Sequence, residues 1–415
     1  MDTKQTQVAG TTQDPKDLLQ EILQEGARKM LMAAVENEVA EYVEKHAHLR
    51  DGDGRRQVVR NGSMPERKLV TGVGQIPIKQ PRVHDRREEH HFTSAILPPY
   101  MRRAPSIDAL IPALYLKGVS TGDFSDALQA ILGEGAAGLS ATNIVRLKAS
   151  WEDEHEEWSG RDLSDKRYVY LWADGIYFNV RLDNDRPCIL VLIGALPNGT
   201  KELVAVWDGE RESKLSWKEV LLDLKERGLD QAPSLAIGDG ALGFWAALRE
   251  VFPATEEQRC WVHKTANVLD KMPKSLQPGA KKKLHDIYLA ATEKEALKAF
   301  DRFLELYDDK YPKACTCLTK DKDALFSFYK FPAEQWAHLR TTNPIESTFA
   351  TVRLRTKRTK GCGSRKATLS MVFKLVQAAE KRWRKLRGYK RIAAVIEGTI
   401  FIDGIHPKEA KEKAA

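Results

Sequence analysis

Apolar positions recur at helical spacing through the first fifty residues: Leu18, Leu19, Ile22 and Leu23, then Met30, Leu31, Ala34, Val35, Val39 and Val43. With Asp14-Pro15 as a start signal, the pattern predicts one or two amphipathic helices, packed internally or against another copy of the chain. Residues 50–103 break it with Gly52, Gly54, Gly62, Gly72, Gly74 and several prolines, and Lys68 to Gln80 alternates loosely, as a short hairpin does. Three short helices are predicted over residues 106–158. The first carries Ile107, Leu110, Ile111, Leu114 and Tyr115 and ends at Gly118. The second, capped by Ser120 or Thr121, carries Phe124, Ala127, Leu128 and Ile131 with Gly133 behind it. The third, capped by Ser140, carries Ile144, Val145 and Leu147, with Arg146 and Lys148 facing out.

From Arg167 the period changes to two. Tyr168 to Leu182 reads as a long strand, and Cys188 to Ala195 and Glu202 to Trp207 flank the turn Pro197-Asn198-Gly199. Ser213 to Arg227 is a helix closed by Gly228, followed by a buried strand, Leu235 to Ile237, that stops at Gly238-Asp239-Gly240. A helix with Leu242, Trp245, Ala246 and Leu248 comes next, then a strand-like run ending in Cys260, Trp261, Val262 and His263. Residues 264–336 are helical, in pieces to about Met272, over Leu276 to Ala291 and Glu293 to Tyr307, and around Leu325. A last pair of helices carries Ile345, Phe349 and Val352, then Leu369, Val372, Phe373, Val376 and Ala379, with a basic loop from Lys357 to Lys366 between them. Strands in a hairpin followed by strand–helix alternation predict a mixed sheet with helices on its faces, an α/β fold.

A chain of 415 residues exceeds one compact core, so two or three domains are expected. No apolar run reaches the roughly 18 residues of a membrane span, and the start lacks a secretory pattern. Five scattered cysteines make no disulfide framework, which favours a reducing cytoplasm. Cys315-x-Cys317 has no second pair at zinc spacing. Gly133-x-Gly135-x-x-Gly138 follows a helix rather than a strand and no phosphate-binding loop with Gly-Lys-Ser/Thr occurs, so no nucleotide cofactor is expected.

The net charge of +8 suits a polyanion partner. Arg55, Arg56 and Arg60 open a stretch where arginine and lysine outnumber acids, which reads as a basic arm along phosphates or as a solvated linker. The three helices after it fit a helix-turn-helix module, with Arg146 and Lys148 on the helix that would enter a groove, or a small three-helix bundle that binds no DNA. Around Arg353, Arg355, Lys357 and Arg358 acids are nearly absent, whereas a solvated face mixes both signs; a second backbone contact is expected there.

Asp174 carries the strongest local chemical signal. By period two it shares a strand face with Ile176, Phe178, Val180 and Leu182, and an acid on an apolar face is costly unless paired or metal-bound. Asp183, Asp185 and Asp208 sit near turns and read as solvated. Asp239, delivered at a strand end between glycines, fits a close approach to a ligand or a plain turn. Asn343-Pro344-x-Glu346 is by itself a capping box, with Asn343 as N-cap and Glu346 bonding back to its amide. Cys260 and His263 are half a zinc site, or a buried thiol and a histidine that orient the sheet edge.

Asp239, Gly243-Phe244, Val251-Phe252-Pro253, Thr255 and Gln258-x-Cys260-x-x-His263 together resemble the signature of the Mutator-type transposases of bacterial insertion sequences, a resemblance running from about residue 16 to about residue 400. It implies a ribonuclease H-like catalytic domain with a helical insertion, residues Asp174, Asp239 and Glu346 as an Asp-Asp-Glu triad, and two Mg²⁺ ions that Mn²⁺ replaces. The expected domains are N-terminal helices (1–49), a DNA-binding region (50–158), the first catalytic part (165–263), the helical insertion (264–336), the final catalytic helices (337–400) and a tail (401–415). The implied activity is cleavage and strand transfer of double-stranded DNA at terminal inverted repeats. It would be carried out by a homodimer or larger homo-oligomer in the bacterial cytoplasm, on the nucleoid and without a membrane. A non-enzymatic helix-turn-helix regulator and a ribonuclease H-like nuclease are the competing readings. The regulator has no use for Asp174 on an apolar face, and the nuclease none for a repeat-binding half.

Overall fold

The computed structural model describes residues 15–87, 90–119, 124–132, 141–178, 188–209, 211–240, 242–358 and 364–409. Tertiary contacts divide the chain into two compact units, Met1–Val145 and Arg146–Ala415.

In the first unit one long helix, α1 (Pro15–Lys45), is followed by four short strands, β1 (Val58–Ser63), β2 (Arg67–Thr71), β3 (Gly74–Ile78) and β4 (Pro81–Asp85). β1 pairs with β4 and β2 with β3, both antiparallel. The expected hairpin within Lys68 to Gln80 is therefore β2–β3, but the expected arm is a folded module. Ile76 and Ile78, two apart on β3, join Leu69, Leu97 and Val35 of α1 in a small core. α2 (Pro105–Lys117) follows with Gly118 as its left-handed cap, φ 102°, as the sequence predicts, and packs on β2. α3 (Phe124–Leu132) and α4 (Ala141–Ser159) match the other two predicted helices. The caps expected at Ser120, Thr121 and Ser140, the glycines at 133, 135 and 138, and hence the turns of the helix-turn-helix reading, lie outside the described residues.

The second unit is built on a five-stranded sheet: β5 (Tyr170–Tyr177), β6 (Cys188–Ala195), β7 (Lys201–Gly209), β8 (Leu235–Gly238) and β9 (Glu256–Arg259), in the order β7-β6-β5-β8-β9. The first three are antiparallel neighbours, and β8 and β9 run parallel to β5. α5 (Lys214–Glu226), whose Ser213 hydroxyl caps it by accepting from the Ser216 amide, and α6 (Leu242–Val251) pack together on one face. There Leu171, Ala173, Leu190, Leu192 and Ala236 meet Trp217, Val220, Leu224, Phe244 and Leu248. The alternation of β5 sends Tyr170, Trp172 and Asp174 to the opposite side. Tyr170 donates to the buried Gln335 and the Trp172 indole donates to His338 O at 3.0 Å, so this side carries the C-terminal helices.

Those are reached through a helical block: α7 (Trp261–Leu269), α8 (Gln277–Tyr288), α9 (Glu293–Tyr307), α10 (Pro312–Thr319), α11 (Lys322–Phe326) and α12 (Trp336–Leu339). The sequence reading missed α10 and took Cys260 to His263 for the end of a strand. The strand stops at Arg259, and Trp261 opens α7, burying Trp261, Lys264, Thr265 and Val268 at helical spacing. Gln258, fully buried, donates to Leu325 O and accepts from the Phe328 amide, locking the block to β9. α13 (Asn343–Arg358) and α14 (Arg365–Glu380) then pack beside β5 and β7, and α15 (Ile392–Ile396) follows. Ile345, Phe349 and Val352 are fully buried, the stripe the sequence predicts, but the helix runs through Lys357 and Arg358 rather than breaking at them. Asp208 lies in β7, where its carboxylate accepts two bonds from Arg365 at 3.0 and 3.1 Å, so it is not the solvated turn acid expected.

Candidate active site

Strand register creates the site. In the parallel pair β5–β8, Ala173 lies opposite Gly238, so the next residues, Asp174 within β5 and Asp239 just past the end of β8, come side by side. Gly240 turns the chain away with φ 88°, a conformation side chains avoid. Asp174 is 6% exposed, and among the described residues its carboxylate accepts one hydrogen bond, from the Gly175 amide at 2.9 Å. Val180 and Leu182, expected on the same face, lie outside the described residues; Ile176 is buried there as expected.

A third carboxylate joins the two aspartates, and the sequence reading did not single it out. Glu212 sits in the β7–α5 connection, and one oxygen from each of Asp174, Glu212 and Asp239 lies within 4.8 Å of the others. Burial, then the charge of Asp239, pushes the Asp174 carboxyl up to about 7, with the His263 imidazole and the Gly175 amide pulling the other way. Burial, then Asp239 and Asp174, pushes Glu212 up as well.

Glu346 approaches from the first turn of α13 and belongs to a second group. Its carboxylate, the Cys260 thiol and the His263 ring each offer a ligand atom within 4.8 Å of the others. Thr342 ties them together. Its hydroxyl donates to Glu346 Oε1 at 2.9 Å and lies 3.4 Å from both Cys260 Sγ and His263 Nδ1, while its amide donates to Sγ at 3.4 Å. His263 Nδ1 is 3.7 Å from Glu346 Oε1. The hydrogen bond that the protonated imidazole donates to the Cys260 sulfur holds it up at about 9 against its burial. Burial pushes the Cys260 thiol up, and the bonds and charge of His263 with the Thr342 hydroxyl outweigh it, for a net lowering. The capping reading of Glu346 takes a different form from the one expected. Asn343 is already the first helical residue, and the Glu346 amide donates to Thr342 O at 3.0 Å while its side chain bonds the Thr342 hydroxyl. The two groups adjoin, since the charges of Asp174 and Asp239 raise His263 and that of Glu346 raises Asp174.

The raised carboxyl makes a testable pH signature. A carboxyl whose folded pKa lies above its unfolded value stabilises the fold while protonated. That contribution is complete below 3.8 and is lost as pH rises toward about 7. In metal-free buffer, Asp174→Asn should therefore melt increasingly above wild type between those limits, by a few kcal/mol at the upper end, and level off beyond it. A difference independent of pH would show that Asp174 does not resist ionisation.

Arg55, Arg56 and Arg60 are exposed on the first unit, Arg60 with Glu36 at 3.4 Å and Arg55 with Asp53 at 3.7 Å. Arg146 is exposed and Lys148 half-buried on α4. Arg353 is exposed on α13, its guanidinium 5.8 Å from the Phe349 ring. Arg355 is 3% exposed, which corrects the expectation that it lies along a phosphate backbone: three residues past Val352, it falls on the buried stripe of its helix. The side chains of Lys357 and Arg358 lie outside the described residues. Cys315 is buried and Cys317 half-buried, both free thiols on α10, and among the described residues neither belongs to a metal-type cluster. No helix among the described residues is long and apolar enough to cross a membrane.

The chain belongs to the Mutator family of transposases, whose family model it matches over residues 1–386. It is 55% identical over 295 residues to the transposase for insertion sequence element IS6120 of Mycolicibacterium smegmatis, covering 71% of this chain and 91% of that protein. To the transposase for insertion sequence element IST2 of Acidithiobacillus ferrooxidans it is 50% identical over 287 residues, 68% of this chain and 95% of the other. To the transposase for insertion sequence element IS256 in transposon Tn4001 of Staphylococcus aureus it is 31% identical over 328 residues, 78% of this chain and 81% of the other.

Proposed function

We propose that the chain is an insertion-sequence transposase that binds the terminal inverted repeats of its element as double-stranded DNA and cuts and joins DNA with divalent metal held by Asp174, Asp239 and Glu346. The observation that carries the reading is the placement of Asp174, inside β5, beside Asp239, where the parallel neighbour β8 ends. The donor set fits a hard dication: clustered carboxylates, one of them nearly buried, with burial and mutual charge resisting ionisation, are what Mg²⁺ or Mn²⁺ relieves. When bound, two such ions supply an activated nucleophile and a stabilised leaving oxygen at a phosphodiester. The protein's own part is to hold Asp174 within β5 and Asp239 at the end of β8, to orient Glu346 on α13 through the Thr342 hydroxyl, and to present His263 as a cation beside them. The strand order, three antiparallel strands with two parallel ones beside the first, supports a ribonuclease H-like catalytic domain in which α7–α12 are the insertion before Glu346.

We place DNA contacts on the exposed cations Arg55, Arg56 and Arg60 of the first unit and on exposed Arg146 and Arg353 and half-buried Lys148 of the second, with Lys357 and Arg358 added on the charge pattern of the sequence, and the protein on DNA as a homodimer or larger homo-oligomer in the bacterial cytoplasm. The test of the whole reading is cleavage and joining of a duplex carrying the element's end, present in Mg²⁺ and absent in chelator; no metal-dependent cleavage of such a duplex sinks it. The interface makes a contrast of its own. Arg353→Ala should weaken binding to every duplex and lower the slope of log affinity against log salt by about 1. Arg355→Ala should instead lower the melting temperature, because it empties a buried site. An unchanged salt slope for Arg353→Ala removes that residue from the interface.

A further inference from the structure

We propose that Glu212 is a ligand of the same divalent metal as Asp174 and Asp239, a proposal that rests on the metal-site reading above. The geometry separates it from the acids around it. A hard dication of the Mg²⁺ type binds oxygen at about 2.1 Å, so the oxygens of one shell lie roughly 3–4 Å apart. The oxygens of Asp174, Glu212 and Asp239 meet within 4.8 Å, close to that span, whereas Glu346 makes its corresponding group with Cys260 and His263.

The chain is shaped to bring Glu212 there. A Cβ on Gly175, the residue after Asp174, would lie 3.1 Å from Glu212 Cδ and 3.2 Å from Oε1, so the carboxyl rests on the backbone of β5 where a side chain would push it off. A Cβ on Gly243, four residues past Asp239, would lie 2.6 Å from Ser213 C and Lys214 N and 3.0 Å from Glu212 O. The glycines behind the two aspartates thus admit one and the same segment. The Glu212 amide donates to the Tyr177 hydroxyl at 3.4 Å, fixing its backbone to β5 from a third direction.

Among the described residues the one cation whose charge reaches both Asp174 and Glu212 is His263, one charge against three acids. Among the described residues the Glu212 carboxylate forms no ion pair and accepts no hydrogen bond, although it is half-buried beside two other acids. Asp174, with 6% of its surface exposed, has a donor for one oxygen, the Gly175 amide, and none for the other among the described residues. Acids gathered this way without a cation are costly, and a metal is the partner their number and oxygen chemistry fit.

The competing role is a protonated, neutral Glu212 that fills space above Gly175. Glu212→Gln separates the two, because glutamine keeps the size and the packing and removes the charge. The probe is Mn²⁺ alone, without DNA, titrated against the full chain at pH 8 and read by the paramagnetic resonance of the free ion. The melting shift at saturating Mn²⁺ is the second readout. We expect Glu212→Gln to bind Mn²⁺ at least about tenfold more weakly, the loss that follows removal of even an indirect partner of a metal, and to lose most of the melting shift. Wild-type Mn²⁺ affinity in Glu212→Gln, with Asp174→Asn impaired, overturns the role of Glu212 alone. Wild-type affinity in both variants, or no Mn²⁺ bound by the wild type, overturns the metal site itself.

Discussion

Glu346→Gln is expected to melt with the wild type and to bind DNA as the wild type does, while cleavage and strand transfer in Mg²⁺ fall by at least about 100-fold. The two roles open to Glu346 make different demands. Its Oε1 accepts the Thr342 hydroxyl at 2.9 Å at the start of α13, and the amide oxygen of glutamine accepts the same bond. The helix start itself rests on backbone bonds into Thr342 O, which the substitution leaves alone. A metal ligand needs the negative charge, and losing it costs more than losing an indirect partner, itself worth about 10–100-fold. Asp174→Asn and Asp239→Asn should fail in the same assay. Near-normal strand transfer by Glu346→Gln would leave Glu346 as a helix-start acceptor and return the third acid to another residue, with Glu212 the first to try.

What the sequence made legible follows from how far each signal reaches along the chain. Asp174 stands out because its strand neighbours alternate around it, and the paired strands put it where that alternation says. The stripe Ile345, Phe349, Val352 fixes α13 in the same way and carries Glu346 toward the sheet. Glu212 gives no such signal. It stands among Glu210, Arg211 and Ser213 in a polar connection, and it reaches the site because β7 and α5 bracket it and two distant glycines leave room. Gly175 directly after Asp174 and Gly243 after Asp239 were the visible traces, uninterpretable until both faced one segment. Trp261 to His263 misled through composition, since an aromatic and β-branched run suits a strand. The spacing of Trp261, Lys264 and Val268 carried the helix instead. Asp208 and Arg365 are 157 residues apart in the chain, and no local pattern joins them.

Gly240→Ala should lower the melting temperature by about 10 °C or more and remove cleavage, although it changes no charge. Gly240 has φ 88°, where a Cβ costs about 1–2 kcal/mol. That Cβ would also lie 1.8 Å from Arg259 Nη1 and 1.9 Å from Cζ, so the guanidinium must leave. A surface arginine would swing aside at little cost. Arg259 is 5% exposed and pairs with Asp321 at 3.3 Å, and Asp321 is itself held by the buried Lys264 at 2.6 Å. Displacing one member of such a buried network costs about 3–5 kcal/mol in comparable cases, and at roughly 2–4 °C per kcal/mol for a domain of this size the strain and the lost pair together lower the melting temperature by about 10 °C or more. The loss of activity follows from position. Gly240 is the residue after Asp239, and Arg259 ends β9 beside it, so the movement that admits a Cβ is taken up by the turn that aims the second acid. Gly279→Ala is the control: in α8, with no atom within 4 Å of its Cβ, it should not lower stability. If Gly240→Ala melts and cleaves like the wild type, Arg259 yields freely, and the turn that carries Asp239 does not depend on it.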